Sequence, residues 1–143
     1  HLTERLLRDG WSVIGVDNFD EFYTPQVKRH NIAGALANPR FQLIEADIRN
    51  EQAMEKAIPP DVDVVVHLAA RAGVRPSIEQ PMLYNDVNVN GTVVLLEVVR
   101  RRGIRKFVFA SSSSVYGNNK KVPFSETDNV DFPISPSARF FRK

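Results

Sequence analysis

In four places this 143-residue sequence sets polar side chains directly after an apolar run, and those are the places where chemistry is possible. Asp17-Asn18 follow Trp11-Ser-Val-Ile-Gly-Val16, and Asp47-Ile48 follow the run that opens at Phe41. His67-Leu68-Ala69-Ala70 close a run containing Val62, Val64, Val65 and Val66, and Ser111 to Ser114 follow Phe107-Val-Phe-Ala110. A carboxylate at Asp17 can accept both hydroxyls of a ribose and would repel a phosphate on its 2′-oxygen; it can equally cap a loop. Asp47 can take an exocyclic amino group while Ile48 covers a ring, or it can serve as a cap ahead of a helix near Asn50. Around Ala69 and Ala70 the small side chains suit either a closely approaching ligand or plain tight packing. Hydroxyls at Ser111 to Ser114 can bond a reacting hydroxyl or a sugar, or simply form a polar turn. Their position straight after a buried strand favours the first. His67 has no metal-ligand partner at useful spacing and reads as a structural histidine.

Side chains of this kind need elements to hold them. Leu2, Leu6 and Leu7 ahead of Asp9-Gly10 have the look of a helix with a glycine stop. Strands are expected at 11–16, 41–45, 62–67 and 106–110. Helices are expected near 26–37, at 51–57 before Pro59-Pro60, and from about Pro76 to Arg102 with an interruption at Pro81. Strands that are continuous apolar runs, alternating with helices, are the pattern of a parallel sheet buried on both faces. The expected class is therefore a doubly wound α/β fold with right-handed crossovers. In such a fold ligands sit beyond the carboxyl ends of the strands, which is where the four polar sites fall. From Asn118 onward the chain is rich in Pro and Ser and shows no clear period.

Composition narrows the function classes. A hydrophobic fraction of 43% and a charged fraction of 25% are those of an ordinary globular domain. The formal net charge is only +2, too small to argue for nucleic acid. Arg100, Arg101, Arg102, Arg105 and Lys106 form a local basic cluster, but at a helix C-terminus cations complement the helix dipole. The chain has no cysteine, so disulfides and thiolate metal sites are out, and no metal is expected. No apolar run reaches the roughly 18 residues of a membrane span, and no secretory signal opens the chain, so a cytoplasmic protein is the expectation.

Taken in order, five segments resemble the extended short-chain dehydrogenase/reductase family of NAD-dependent epimerases and dehydratases. They are Val-Ile-Gly-Val-Asp17-Asn18, Asp47-Ile-Arg, His67-Leu-Ala-Ala70, Asn88-Val-Asn-Gly-Thr92 and Phe109-Ala-Ser-Ser-Ser-Ser-Val-Tyr-Gly117. Ala-Gly-Val-Arg75-Pro-Ser, the serine run and Val122-Pro-Phe-Ser-Glu126-Thr-Asp are most similar to the UDP-glucuronate 4-epimerases. The resemblance implies an NAD-binding, Rossmann-like domain. It puts Asp17 and Asn18 at the adenosine ribose and Asp47 with Ile48 at the adenine. Leu68, Ala69, Ala70, Arg71, Asn88, Ala110 and Ser111 would line the cofactor. Ser112 would be the catalytic serine, bonding the reacting oxygen. Ser113, Ser114, Tyr116 and Arg75 would face a UDP-sugar, of the UDP-glucuronate or UDP-glucose class. The implied reaction is reversible oxidation at C4 of that sugar by bound NAD. A dehydratase of the same family would need an acidic pair beside the catalytic serine, where this chain has Ser113 and Ser114. A homo-oligomer through the long helix ending at Arg102 is also implied.

The sequence departs from the family pattern in two places. The family's Gly-x-x-Gly-x-x-Gly turn and its strand would precede the helix in which His1 lies, so the expected fold is an incomplete Rossmann-like domain lacking its first, central strand. After Ser135-Pro136 the family has Tyr, three residues, then Lys, whereas this chain has Ser137-Ala-Arg-Phe-Phe141. The expectation is a fragment spanning 1–143, with no substrate domain and without activity of its own, or else a non-catalytic nucleotide-binding remnant. Tyr116 and Lys120 share the Tyr-x-x-x-Lys spacing, but Gly117, Asn118 and Asn119 favour a turn over the helix that spacing needs.

Overall fold

The computed structural model describes residues 1–130. Strand β1 (Val13–Asp17) pairs in parallel with β2 (Phe41–Glu45), in a register that sets Val13 opposite Phe41 and Asp17 opposite Glu45. Strand β3 (Val65–His67) pairs in parallel with β4 (Phe107–Phe109), with His67 opposite Phe109. Parallel neighbours require a crossover. Helix α2 (Pro25–Leu36) supplies the first, and α4 (Val74–Glu79), α5 (Pro81–Asn85) and α6 (Gly91–Arg102) supply the second. Helices α1 (Leu2–Arg8) and α3 (Glu51–Ala57) complete the set. The expected α/β class with parallel strands is what the chain forms.

Local chemistry explains where the elements begin and end. Helix α2 opens with Pro25, whose missing N–H costs nothing in a first turn. The Asn50 side chain caps α3 by accepting the Ala53 N–H at 3.0 Å. Helix α6 stops at Gly103, whose φ of 69° is the left-handed conformation glycine adopts freely. Glycine is also required at two close approaches. A Cβ at Gly15 would lie 2.9 Å from the Phe41 ring, and one at Gly91 2.6 Å from the Ile48 side chain.

One core binds the two strand pairs together. Ile48, Met54, Ala57, Ile58, Leu95 and Val98 form it, and Val16, Ile44, Val65 and Phe107 pack on it from all four strands. Met54 and Val98 are wholly buried there.

Three sequence expectations need correction. The strands are half-buried and not fully covered, with successive residues of β1 buried alike on both faces, because each strand of a two-stranded sheet keeps one edge without a paired neighbour. Among the described residues no strand hydrogen-bonds between β1 and β3. Strand β3 starts at Val65 and not Val62, because the Val62 N–H closes a turn onto the Pro59 carbonyl. The long helical stretch does break before Pro81, as expected, but it also contains a π-helical turn, Asp86–Asn90, that apolar spacing did not announce. Ser137 and Phe141 lie outside the described residues.

Candidate functional site

Parallel pairing brings the strand ends together two by two. Asp17 and Asp47 come to one end of the first pair, where the Asn18 amide donates to Asp47 at 3.0 Å. His67 and Ala110 meet at the same end of the second pair, where the Ala110 N–H donates to the His67 carbonyl at 3.1 Å. A cavity of about 280 Å³ opens there. Leu68, Ala69, Ala70, Arg71, Asn88, Ala110, Ser111, Ser112 and Ser114 all line it. Leu68 is 61% exposed, an apolar side chain presented to the opening and not to the core.

The loop after β3 forms one wall and is clamped from behind. Asn88, in the π turn, accepts the Arg71 N–H at 2.8 Å and donates to the Arg71 carbonyl at 3.0 Å. Tyr84 donates its hydroxyl to the Ala72 carbonyl at 2.6 Å. The Arg71 guanidinium crosses to the loop after β1 and meets both Asp20 carboxylate oxygens at 2.9 Å. It also faces the Phe22 and Tyr84 rings, at 5.2 and 5.8 Å from their centres. The Arg71–Asp20 pair therefore ties the carboxyl ends of the two strand pairs together. A second, open concavity lies beside it, lined by Asn18, Phe19, Asp20, Glu21, Phe22 and Arg71.

At Asp17 one carboxylate oxygen is committed and one is not. Oδ1 accepts the Phe19 N–H at 2.7 Å and the Lys28 ammonium at 3.2 Å. Oδ2 has no partner among the described residues, so it can accept a ligand hydroxyl. Asp47 is different. Arg49 donates to it from its backbone N–H, Nε and Nη2, and Asn18 adds a fourth bond. Four donors fill a carboxylate's acceptor capacity, so an adenine amino group would have to displace Asn18. Those Arg49 bonds above all hold the Asp47 carboxyl down at about 2. The Ile48 side chain is 9% exposed and belongs to the core, packed against Gly91.

The serines divide. Ser112 Oγ accepts the Ser114 N–H at 3.2 Å and so caps the 3-10 turn Ser113–Tyr116. Its own proton stays available to a reacting oxygen. Ser113 is exposed and outside the cavity lining. Tyr116 is outside it too, its ring stacked on Phe124 with centres 4.6 Å apart. The 3-10 turn ends at Gly117, so Tyr116 and Lys120 share no helix. Arg75 also stands apart: its side chain is 91% exposed and pairs with Glu79 at 3.4 Å. The physical reason is helical phase. Val74 and Ser77 turn toward the cavity, which rotates Arg75 away.

Sequence reasoning missed Ser77, Tyr84 and Thr92 in the cavity wall. Tyr84 and Asn88 are four residues apart and share a helix face, a signal that was present. Nothing in the sequence announced the Arg71–Asp20 pair. Three cations of the basic cluster are taken up by neighbours: Arg100 by Glu97, Arg101 by Glu51 and Glu55, and Arg102 by the Glu55 carbonyl. Among the described residues no group of His, Asp or Glu is placed to hold a metal ion, and no helix is long and apolar enough to cross a membrane.

His67 sits 4% exposed at the cavity floor, with Nε2 2.9 Å from Thr92 Oγ1. The Thr92 hydroxyl donates to the Asn88 carbonyl at 2.7 Å, so it accepts from His67, which carries its proton on Nε2. Burial lowers the imidazole below its ordinary 6.5. The unfolded chain then binds a proton near pH 6.5 that the folded chain refuses, so stability falls as pH drops below that value. Asp47 acts in the same direction further down, between 3.8 and about 2. Its contribution is about 2–3 kcal/mol before solvent screening, and less after it. Urea midpoints measured from pH 8 to 5 should decline below about 6.5, and His67→Gln should flatten that decline. An unchanged slope in the variant would assign it to other groups.

Comparison with known proteins adds the chemistry of relatives. Residues 1–139 match the protein-family model described as GDP-mannose 4,6 dehydratase. A UDP-glucuronate 4-epimerase of Thermodesulfobacterium geofontis is 40% identical over 136 residues, covering 94% of this chain and 42% of its own length. The chain thus spans well under half the length of that curated relative. Among solved structures, a variant of the Bacillus cereus UDP-glucuronic acid 4-epimerase, in complex with NAD and a fluorinated UDP-glucuronic acid, superposes with a TM-score of 0.85 at 37% identity. It covers 97% of this chain and 44% of that one. A dTDP-glucose 4,6-dehydratase variant from Streptomyces venezuelae, with NAD bound, superposes at 0.82 with 28% identity, covering 96% and 43%.

Proposed function

The chain belongs to the GDP-mannose 4,6 dehydratase family, and on that premise we propose that it forms the cofactor-binding part of an NAD-dependent nucleotide-sugar 4-epimerase of the UDP-glucuronate type. The observation that carries the reading is the cavity beyond β3 and β4. It gathers Leu68 to Arg71, Asn88 and the Ala110 to Ser112 segment, drawn from separate parts of the sequence, on one wall-and-floor arrangement. Relatives named as UDP-glucuronate 4-epimerases, and a neighbour holding NAD with a UDP-glucuronic acid analogue, support the choice of ligand and reaction.

The residues present fit an NAD molecule in part. Asp17 Oδ2 offers a free acceptor for a ribose hydroxyl, and the small, exposed Ala69 and Ala70 leave backbone open to a flat ring. Asp47 holds the loop below instead of offering a free acceptor. When bound, NAD would supply the hydride acceptor for a sugar carbinol. Ser112 would donate a hydrogen bond to the reacting oxygen, the role a positioned hydroxyl can serve. Asn88 would hold the Arg71 wall in place. In this reading Ser113, Ser114, Tyr116 and Arg75 belong to the sugar side, with Ser114 the one already at the cavity. With serine and phenylalanine at 137 and 141, this chain alone would not complete the proton transfers. A 4,6-dehydratase is the second reading. It is favoured by the family model's own description, and opposed by the absence of an acidic pair beside Ser112. A homo-oligomer and a cytoplasmic site remain part of the proposal.

The test is calorimetric titration with NAD. Asp17→Ala should weaken binding about ten- to hundredfold, the value of one or two hydrogen bonds to a charged acceptor. No saturable binding by the unsubstituted chain would sink the cofactor reading, and turnover of UDP-glucuronate by it would sink the reading of residues 137 and 141.

A further inference from the structure

The π turn that carries Asn88 is held from outside its own helix, by a residue that lines neither concavity. Arg49, in the loop after β2, puts Nε and Nη2 on Asp47 at 2.9 and 2.7 Å. That leaves Nη1, which reaches Asp86 at the start of the π turn at 2.8 Å. The other Asp86 oxygen accepts the Asn90 amide at 3.1 Å, from the end of the same turn. Asp86 thus braces the turn and ties it to the loop after β2, with Asn88 standing between the braced ends. A π turn holds one residue more per hydrogen-bonded ring than an α turn. Were that extra residue to slide past Asn88, its side chain would swing by about 100°, one α-helical step, away from Arg71. From Asn88 the bonds run through Arg71 to Asp20, whose N–H donates to Asn18, and Asn18 returns to Asp47. They close into a ring that joins the carboxyl ends of both strand pairs, and Arg49 is the member that bridges two carboxylates.

We propose that Arg49 is a positioning residue for the cavity wall: by gripping Asp86 it sets the phase of the π turn, and so aims Asn88 at the Arg71 backbone. The inference rests on the reading of the cavity beyond β3 and β4 as a cofactor site. It gives Arg49 a part in that site without contact to the ligand. Only a guanidinium meets the geometry. Its planar fork serves Asp47 with two donors and Asp86 with a third, whereas a lysine ammonium, a point charge on a flexible stem, follows one carboxylate or the other. The Asp47 loop and the Arg71 wall then move as one unit, although no strand ladder connects them.

The test has two arms, with circular dichroism establishing that each variant is folded. In calorimetric titration with NAD, Asp86→Ala and Arg49→Lys should each bind about three- to tenfold more weakly, the value of one part-exposed charged hydrogen bond. Because Asn88 is the point of action, adding Asp86→Ala to Asn88→Ala should change affinity by less than about twofold. The second arm is amide hydrogen exchange. The Arg71 N–H should exchange about three- to tenfold faster in Asp86→Ala, while the amides bonded between β1 and β2 keep their rates. Unchanged NAD affinity in Asp86→Ala, its full loss repeated on top of Asn88→Ala, or equal acceleration at Arg71 and in the β1–β2 ladder would overturn the proposal. An unsubstituted chain that binds no NAD would sink the cofactor reading, and the exchange arm then decides by itself whether the Arg49–Asp86 pair sets the Arg71 loop.

Discussion

Asn88→Ala should lower the unfolding free energy by about 2–4 kcal/mol, because two part-buried backbone groups of Arg71 lose their partners at about 1–3 kcal/mol each. The side chain is 5% exposed and spans both groups, the N–H at 2.8 Å and the carbonyl at 3.0 Å. Water from the cavity that Asn88 lines replaces part of what is lost, which keeps the cost in the lower part of the summed range. Asn88→Asp sharpens the test. It keeps the acceptor for the Arg71 N–H but sets a carboxylate against the Arg71 carbonyl, so it should be no better than alanine. Urea unfolding gives the value directly through the midpoint and slope. A loss below about 0.5 kcal/mol, the size of an ordinary surface change, would mean that the Arg71 loop holds itself. The same variant should also weaken NAD binding, since the cavity wall and the clamp are one structure.

Tyr84→Ala should be larger still, about 3–5 kcal/mol, the range for deleting a buried aromatic ring. Tyr84 is 1% exposed and is the largest wholly buried side chain among the described residues. It has two jobs that can be separated. Its ring fills the space under the Arg71 guanidinium, and its hydroxyl serves the Ala72 carbonyl. Tyr84→Phe removes only the second and should cost about 1–2 kcal/mol. Thermal or urea denaturation of the three proteins side by side checks the division. Equal losses in Phe and Ala variants would show that the hydroxyl alone anchors the loop. Against a total stability of about 5–15 kcal/mol, either variant matters to folding as well as to the site.

These two residues also show what the sequence can and cannot reveal. The strands were legible because each is a short apolar run, and Phe41 to Glu45 is found as expected. The start of β3 was not, because valines at 62 and 64 look the same whether a neighbour pairs with them or not. Pairing is a long-range property, and β4 extends only from Phe107 to Phe109. The strand-end rule pointed to His67 to Ala70 and to Ser111 to Ser114, and of these only Ser113 lies outside the lining of one cavity. It could not see that Arg49 would saturate Asp47, since that depends on an arginine folding back over two residues. Nor could it orient Arg75, whose direction is set by the phase of a six-residue helix. The π turn was invisible for a related reason. It has no distinctive apolar spacing, and the side-chain bonds around it, such as Thr92 to the Asn88 carbonyl and Asn90 to Asp86, depend on the turn having formed.

The division of the strands into two separate pairs has a consequence for how the molecule comes apart. Each pair is closed by its own crossover within a contiguous stretch of chain, 13–45 for one and 65–109 for the other. No ladder of hydrogen bonds runs from one to the other among the described residues. What couples them is side-chain packing on Met54, Leu95 and Val98 together with the Arg71–Asp20 and Arg49–Asp86 pairs. Cooperativity therefore resides in the apolar core and not in the sheet, and subglobal opening of one half can precede loss of the other.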